Sequence, residues 1–284
     1  AEASRTIYES FLNRMKEASE QAALQTSDAR FLTRASPPDS SDTRLRQIIV
    51  LLGGVGGIGL GIGLVFLLEN LSNTFRSPAE LEKETGLAVL ASVPQAGRRK
   101  RPQELMAYLI RKHNSALAES VRNLRTSILF SDIDRPPKVV MFSSSLPMEG
   151  KTTTAMLMAM TSRQMGRSAV ILDCDLRRRT LSSVFPAAEQ RPGLLALLEG
   201  TTALDDAVFK EPETGLHVLA PGTSEANLAN PADILASHRF KKLIDELRAR
   251  YDLVILDTPP TLVVTDARVV AQHADAVVYL VRWD

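Results

Sequence analysis

The chain has 284 residues, enough for one large domain or two small ones and for a real core. Hydrophobic residues make up 44% and charged residues 24%, ordinary globular usage that excludes disorder, collagen and a small disulfide scaffold. Its 34 Lys and Arg against 33 Asp and Glu leave +1, so no global field points to nucleic acid. A single cysteine, Cys174, and four dispersed histidines (His113, His217, His238, His273) exclude an internal disulfide and show no metal-ligand spacing.

From Ala1 to Gln25 the apolar residues Ile7, Phe11, Met15, Ala18 and Ala22 fall on one stripe, which predicts a helix. Ala29 to Ala35 alternates like a short strand and stops at Pro37-Pro38. We read 1–38 as the last leg of a larger domain that begins upstream. Ile48 to Leu68 is a run of 21 residues without a charge or a polar side chain, hidden within a mean hydropathy of −0.03. As a helix it measures about 31 Å, the thickness of a hydrocarbon core, so it is read as a membrane span. Seven of the chain's 15 glycines lie in it. Gly53, Gly57 and Gly61 have the four-residue spacing that lets membrane helices approach; whether they pair helices is left open. So many glycines argue against a buried soluble helix.

Residues 69–102 read as a juxtamembrane segment. Ser77-Pro78-Ala79-Glu80 starts a helix that Gly86 ends, and 87–94 (LAVLASVP) is expected to be a strand. Gly97-Arg98-Arg99-Lys100-Arg101-Pro102 is a basic linker, either a solvated hinge or a contact for anionic headgroups. Residues 103–284 form the main domain. Helical patterning runs from Gln103 to Phe130 with a break near His113-Asn114. Beyond Pro136-Pro137, five apolar runs (139–145, 169–175, 216–221, 253–258, 276–282) alternate with helices, notably 152–165 and 238–250. Near-continuous apolar strands are buried on both faces, which predicts an α/β fold with a doubly wound parallel sheet of P-loop NTPase type.

Three constellations carry chemistry. Ser145 to Thr152 joins a strand to a helix, and the stretch Met148, Glu149, Gly150, Lys151, Thr152 and Thr153 is the expected nucleotide-binding segment. Gly150 allows close backbone approach, Lys151 suits the β- and γ-phosphates, and the Thr152 hydroxyl suits Mg2+. The departure is Ser145, where the general pattern has its first glycine. Asp173 and Asp175 share one face at the carboxyl end of a strand, where doubly wound sheets bind ligands. Loop-capping is the alternative for both, and Cys174 between them reads as a packed small residue. Asp257 ends another apolar strand and suits Mg2+ directly or through water. Thr258 follows it where motor-type ATPases place a water-activating glutamate, which favours transfer to another acceptor, or slow hydrolysis.

Together, Ser143 to Thr152, Ile171 to Arg178 and Asp257-Thr258-Pro259-Pro260 resemble the bacterial tyrosine kinases fused to polysaccharide co-polymerases. Asn230-Pro231 with Ile234-Leu235, and Arg34-Ala35 with Pro37-Pro38, are similar too. The resemblance implies an inner-membrane protein with a periplasmic N-terminal part, an upstream membrane helix and a cytoplasmic kinase that forms homo-oligomeric rings. It implies ATP and Mg2+ as cofactors, and as partners the polysaccharide polymerase and export machinery and protein tyrosines, the chain's own tail included, with no nucleic acid. It assigns catalysis to Lys151, Asp173 and Asp175, with Asp173 aligning or deprotonating the tyrosine hydroxyl. Metal binding falls to Thr152, Asp175 and Asp257. Glu119, Arg122 and Arg125 match the family's E-x-x-R-x-x-R subunit contact; a local salt-bridge ladder is the alternative. Arg177 to Arg179 suit an acidic tail or a solvated loop.

Two departures stand against the family pattern. The family's tyrosine-rich tail is not matched, since the four tyrosines (Tyr8, Tyr108, Tyr251, Tyr279) form no cluster: the chain either lacks that tail or is truncated, and a fragment open at both ends is expected; Met148 stands where relatives often carry glycine. Arg44 and Arg46 before the span and Glu69 after it favour the N-terminal side inside, whereas Arg76, Arg98 to Arg101 and the need for cytoplasmic ATP favour the reverse. The competing readings are a partitioning-type ATPase of the MinD/ParA kind, whose usual extra lysine is absent from Ser144 to Leu146, and a non-kinase co-polymerase with a regulatory nucleotide site.

Overall fold

The structure, a computed structural model, describes residues 2–24, 43–71, 75, 77–95, 101–223 and 230–283. Two compact units divide the chain, Ala1–Asn73 and Thr74–Asp284.

The first unit contains α1 (Glu2–Leu24) and α2 (Thr43–Leu71). The predicted stripe of α1 is there, but Ile7, Phe11 and Met15 stand exposed. The expected strand 29–35, with Arg34-Ala35 and Pro37-Pro38, lies outside the described residues. The stretch Thr43–Glu69 of α2 is long and apolar enough to cross a membrane, with a mean hydropathy of 2.4 and no buried share. Nothing lies within 4 Å of a Cβ built on any of its seven glycines, so among the described residues the Gly53–Gly57–Gly61 edge is unused.

The second unit opens with α3 (Pro78–Thr85), started and stopped as its sequence predicts. Ser77 Oγ accepts the Glu80 N–H at 3.2 Å, and Gly86 ends the helix at φ 69°. The expected strand at 87–94 does not form. Its backbone groups bond to helix side chains instead: the Val89 N–H donates to Glu82 Oε1 and Leu90 O accepts from Ser127 Oγ. Leu90, Ala91 and Val93 pack on the core without joining the sheet. Residues 97–100 of the basic linker lie outside the described residues. Next come α4 (Pro102–Arg111) and α5 (Ala116–Leu129), separated at the predicted break.

The remaining elements alternate: β1 (Val139–Ser144), α6 (Lys151–Gln164), β2 (Ala169–Asp173), α7 (Thr180–Val184), α8 (Pro186–Glu189), α9 (Gly193–Glu199), α10 (Leu204–Ala207), β3 (Phe209–Lys210), β4 (His217–Leu219), α11 (Pro231–Leu235), α12 (His238–Arg250), β5 (Leu253–Asp257), α13 (Asp266–Ala271) and β6 (Ala276–Leu280). The strands lie in the order β3-β4-β2-β5-β1-β6, parallel throughout except for β3 on β4. All five predicted strands form, with ends trimmed by one to three residues. The two-residue β3 carries no periodicity a sequence could show.

Strand alternation sorts the core into two layers. Val140, Phe142, Ile171 and Ile255 pack toward α5 and α6 with Val121, Ile128, Met156 and Met160. Val139, Met141, Val170, Leu172 and Leu256 face α9, α12 and α13 with Leu194, Phe240, Leu247 and Val270. Each such side chain contributes about 1.5–3 kcal/mol of burial. Both faces covered and the central strands buried at every position make the sheet doubly wound.

Beyond β4 the chain passes close to α9. Gly222 has φ 87°, and a Cβ there would lie 2.0 Å from Pro192 O and 2.5 Å from the Pro192 carbonyl carbon, neither of which can yield. Gly222→Ala therefore lowers the unfolding free energy by about 2–4 kcal/mol. Urea denaturation checks this, and an unchanged midpoint would refute so close an approach.

Candidate functional site

The carboxyl ends of β1, β2 and β5 converge because the three are adjacent and parallel, with Phe142 and Asp173 each in register with Asp257. β1 runs into the loop 145–150, which turns into α6 through Gly150 at φ 90°. Only glycine adopts such a conformation without strain. Lys151, Thr152 and Thr153 are then the first three helical residues, so their N–H groups are the unpaired donors of a helix N-terminus. Met148 also has positive φ, 69°, and is 88% exposed. The structure thus shows why glycine suits this position: methionine takes the left-handed conformation at a cost of about 1 kcal/mol.

Side chains close the loop on itself. Glu149 Oε2 accepts the Leu146 N–H at 2.7 Å, and Ser144 Oγ donates to Leu146 O at 2.8 Å. Segment 258–261 laces it to the strand ends. The Thr258 hydroxyl donates to Phe142 O, and the Thr261 N–H donates to Ser144 O at 2.9 Å. Tyr279 OH bonds both Ser145 Oγ (2.9 Å) and Thr261 Oγ1 (2.7 Å). Thr261 and Tyr279 were missed by sequence reasoning, since nothing in their neighbourhoods reveals contact with residues 117 and 134 positions away. Thr258 is fully buried and turned toward β1, so no water-activating group stands after Asp257.

The three aspartates differ in what they have to spare. Asp173 is buried, with Oδ1 accepting the Asp175 N–H and Oδ2 the Leu181 N–H, each at 3.0 Å. It therefore holds the 174–181 loop, the alternative that sequence left open. Asp175 Oδ1 accepts the Arg178 N–H at 3.1 Å, while its Oδ2 is buried without a partner. Asp257 is fully buried and neither oxygen has a hydrogen-bond partner. Burial pushes the Asp257 carboxyl up to about 7, with Asp175 adding to the rise; Lys151 and the nearby Thr152 hydroxyl pull it back only in part. Burial, then the charges of Asp257 and Asp175, also raises Asp173 well above the ordinary carboxylate range. The Cys174 thiol is raised by burial and by the same carboxylates, which keeps it an inert packed residue.

Buried carboxylate oxygens without partners beside a helix N-terminus fit a hard cation shared with phosphates. Among the described residues no three His, Cys, Asp or Glu side chains enclose a metal by themselves. That suits Mg2+, which keeps waters and takes only one or two carboxylates beside substrate phosphates. Asp257, Asp175 and the Thr152 hydroxyl are the groups that would hold it.

The basic candidates separate. Arg177 Nε pairs with the buried Asp266 carboxylate at 3.0 Å, and Arg179 pairs with Glu189 at 2.8 Å, so neither is simply solvated. Arg178 remains exposed. Arg122 bonds Glu119 Oε2 through Nε (3.1 Å) and Nη2 (2.5 Å) and also reaches His113 O. Arg125 takes no part, so the salt-bridge ladder is a single rung.

Comparison with known proteins bears on the family and the fold. The AAA domain family matches residues 137–282. Tyrosine-protein kinase YwqD of Bacillus subtilis is 38% identical over 58% of this chain and 68% of its own length. Tyrosine-protein kinase ptk of Acinetobacter johnsonii is 28% identical over 99% of this chain, which spans 39% of that protein. The solved kinase domain of Escherichia coli tyrosine kinase ETK superposes with a TM-score of 0.64 at 28% identity, covering 73% of this chain and 82% of that one.

Proposed function

From the premise that the chain belongs to the AAA domain family, in its bacterial tyrosine-kinase group, we propose that it is an ATP-dependent protein-tyrosine autokinase of polysaccharide chain-length control and export. The single observation that supports this best is Asp257: a fully buried carboxylate without a hydrogen-bond partner, within electrostatic reach of Lys151 at the head of α6. A buried carboxyl without a partner is costly, and such groups cluster at functional sites.

On this reading the N–H groups of 150–153 and the Lys151 ammonium bind the nucleotide phosphates. Asp257, Asp175 and Thr152 hold Mg2+, which when bound neutralises phosphate charge. Asp173 positions the acceptor hydroxyl. An ordinary carboxylate near 3.9 is a poor base for a phenol near 10, but phosphoryl transfer through a loose transition state depends on positioning and charge neutralisation. α2 crosses the inner membrane, with the first unit periplasmic and the sheet domain cytoplasmic, where ATP and Mg2+ are. Glu119, Arg122 and Arg125 lie on the face assigned to ring formation, and the export machinery and protein tyrosines, including a tail, are the partners.

Supplying the chain in membranes with labelled ATP and Mg2+ tests the proposal. Phosphotyrosine is the expected product; ATP bound with none formed would replace the kinase by a structural co-polymerase. A reporter fused after Asp284 should be active only when it is of the cytoplasmic kind. Asp173→Asn should slow phosphotransfer about 100-fold while Mg·ATP affinity stays within about three-fold. Equal losses in turnover and affinity would make Asp173 only the cap of its loop.

A further inference from the structure

The loop that turns into α6 departs from the general phosphate-loop pattern at its first position, where Ser145 stands in place of glycine. The pattern gives that hydroxyl no task, but the neighbouring strand does. β6 runs parallel to β1 with Ser143 in register with Tyr279. Ser145, two residues on, leaves the strand on the same face as Ser143, within reach of the Tyr279 phenol.

Each hydroxyl here has one proton to give, and that fixes the direction of every bond. Thr261 Oγ1 lies 3.2 Å from Ser144 O, a carbonyl that can only accept, so the threonine proton goes there. Thr261 Oγ1 then accepts from Tyr279 OH at 2.7 Å, and the Tyr279 oxygen accepts from Ser145 Oγ at 2.9 Å. The result is a one-way chain from Ser145 through Tyr279 and Thr261 to Ser144 O. It leaves the phosphate loop at its first residue and returns to β1 at the residue before. Bonds arranged in series polarise one another, so the middle member matters most.

What this chain holds is passed along the loop. Ser144 Oγ donates to Leu146 O at 2.8 Å, and the Leu146 N–H donates to Glu149 Oε2 at 2.7 Å. Glu149 adjoins Gly150, whose turn aims the first N–H groups of α6. Thr261 stands in the segment that follows Asp257. A single phenol thus ties the phosphate loop to the chain leaving the candidate metal carboxylate.

We propose that Tyr279 is a positioning residue that sets nucleotide affinity: with Ser145 and Thr261, its hydroxyl holds the phosphate loop in the receiving shape before any nucleotide arrives. This rests on the nucleotide-binding reading of the site. Tyr279 acts through the loop, so the effect is modest. A loop in the receiving shape for only part of the time binds more weakly by that fraction, and losing one net hydrogen bond corresponds to about five-fold.

The test is calorimetric titration of a non-hydrolysable ATP analogue with Mg2+ into the full chain held in lipid nanodiscs, with empty nanodiscs as the blank. Tyr279→Phe, Ser145→Ala and Thr261→Val should each weaken binding about five-fold, while the unfolding midpoint without nucleotide stays unchanged. Because the chain acts as a unit, the Tyr279→Phe/Ser145→Ala double variant should also lose about five-fold, not the roughly 25-fold of independent contributions. Thr261→Ser, which keeps the hydroxyl, should retain the affinity that Thr261→Val loses. Should Tyr279→Phe fail to fold, Ser145→Ala and Thr261→Val carry the same comparison. Wild-type affinity in Tyr279→Phe, additive losses in the double variant, or a lowered midpoint with undiminished binding would overturn the positioning role alone. A wild-type chain that binds no nucleotide would refute the nucleotide site, and this proposal with it.

Discussion

Lys151→Met lowers phosphotyrosine formation at least about 1000-fold while leaving the fold intact. Lys151 is the first residue of α6 and is buried to 8% exposure, held there by the turn through Gly150. Methionine matches its aliphatic stem, so packing survives and the loss falls on the ammonium alone. The ammonium has two tasks at this position. On the proposed reading it supplies positive charge to the phosphates, and among the influences on Asp257 it is the largest that keeps the carboxylate charged. The substitution therefore also pushes the Asp257 carboxyl higher and weakens its hold on Mg2+. Labelled-phosphate transfer at saturating Mg·ATP, beside a denaturation curve, checks both parts. Wild-type turnover in a folded Lys151→Met chain would remove the phosphate loop from the chemistry.

Asp257→Asn is the second large effect, and its sign depends on pH. The folded-state pKa of Asp257, about 7, lies above the ordinary 3.8. Between those values the folded chain holds a proton that the unfolded chain has released. The stability this group contributes is thus fully present below about pH 4 and lost as pH rises through about 7. Asparagine has no such proton, so without nucleotide the variant matches the wild type near pH 4 and exceeds it at pH 8, by at most about 4 kcal/mol. Asp173, raised for the same reason, keeps part of the slope in the variant. Mg·ATP reverses the order. A ligand at 100 times its Kd stabilises the wild type by about 2.7 kcal/mol, and the variant, which lacks a metal-binding carboxylate, gains far less. Thermal unfolding across pH, with and without Mg·ATP, measures this directly. Parallel curves for the two chains would show that Asp257 carries no buried charge.

The contrast between Asp257 and Asp173 also shows where sequence reasoning stops. Alternation places both at strand ends, and the residue types suggest the same chemistry. Their difference lies in what the following segment does: the chain after Asp173 turns back and donates two N–H groups to it, while the chain after Asp257 donates its own groups to β1. The same limit explains the failed strand at 87–94. Its apolar alternation meets the demand of a strand, yet its backbone groups are taken by Glu82 and Ser127. Arg177 is a third case, since its partner Asp266 lies 89 positions away.

Local chemistry, by contrast, was legible wherever a rule acts within a few residues. Ser77 and Gly86 set the ends of α3, the 3.6-residue period gives α5 and α12, and the unbroken apolar runs give the parallel strands with burial on both faces. The 21 uncharged residues from Ile48 to Leu68, invisible in the overall composition, give the one span-length apolar helix among the described residues. The order of glycine-lysine-threonine and of three aspartates at or just past strand ends was enough to propose a nucleotide site. Only the tertiary structure decided which carboxylate oxygens remain free for a cation, which arginines are already paired and that Tyr279 and Thr261 brace the phosphate loop. These depend on contacts between segments dozens of residues apart, and no local period or propensity encodes such contacts.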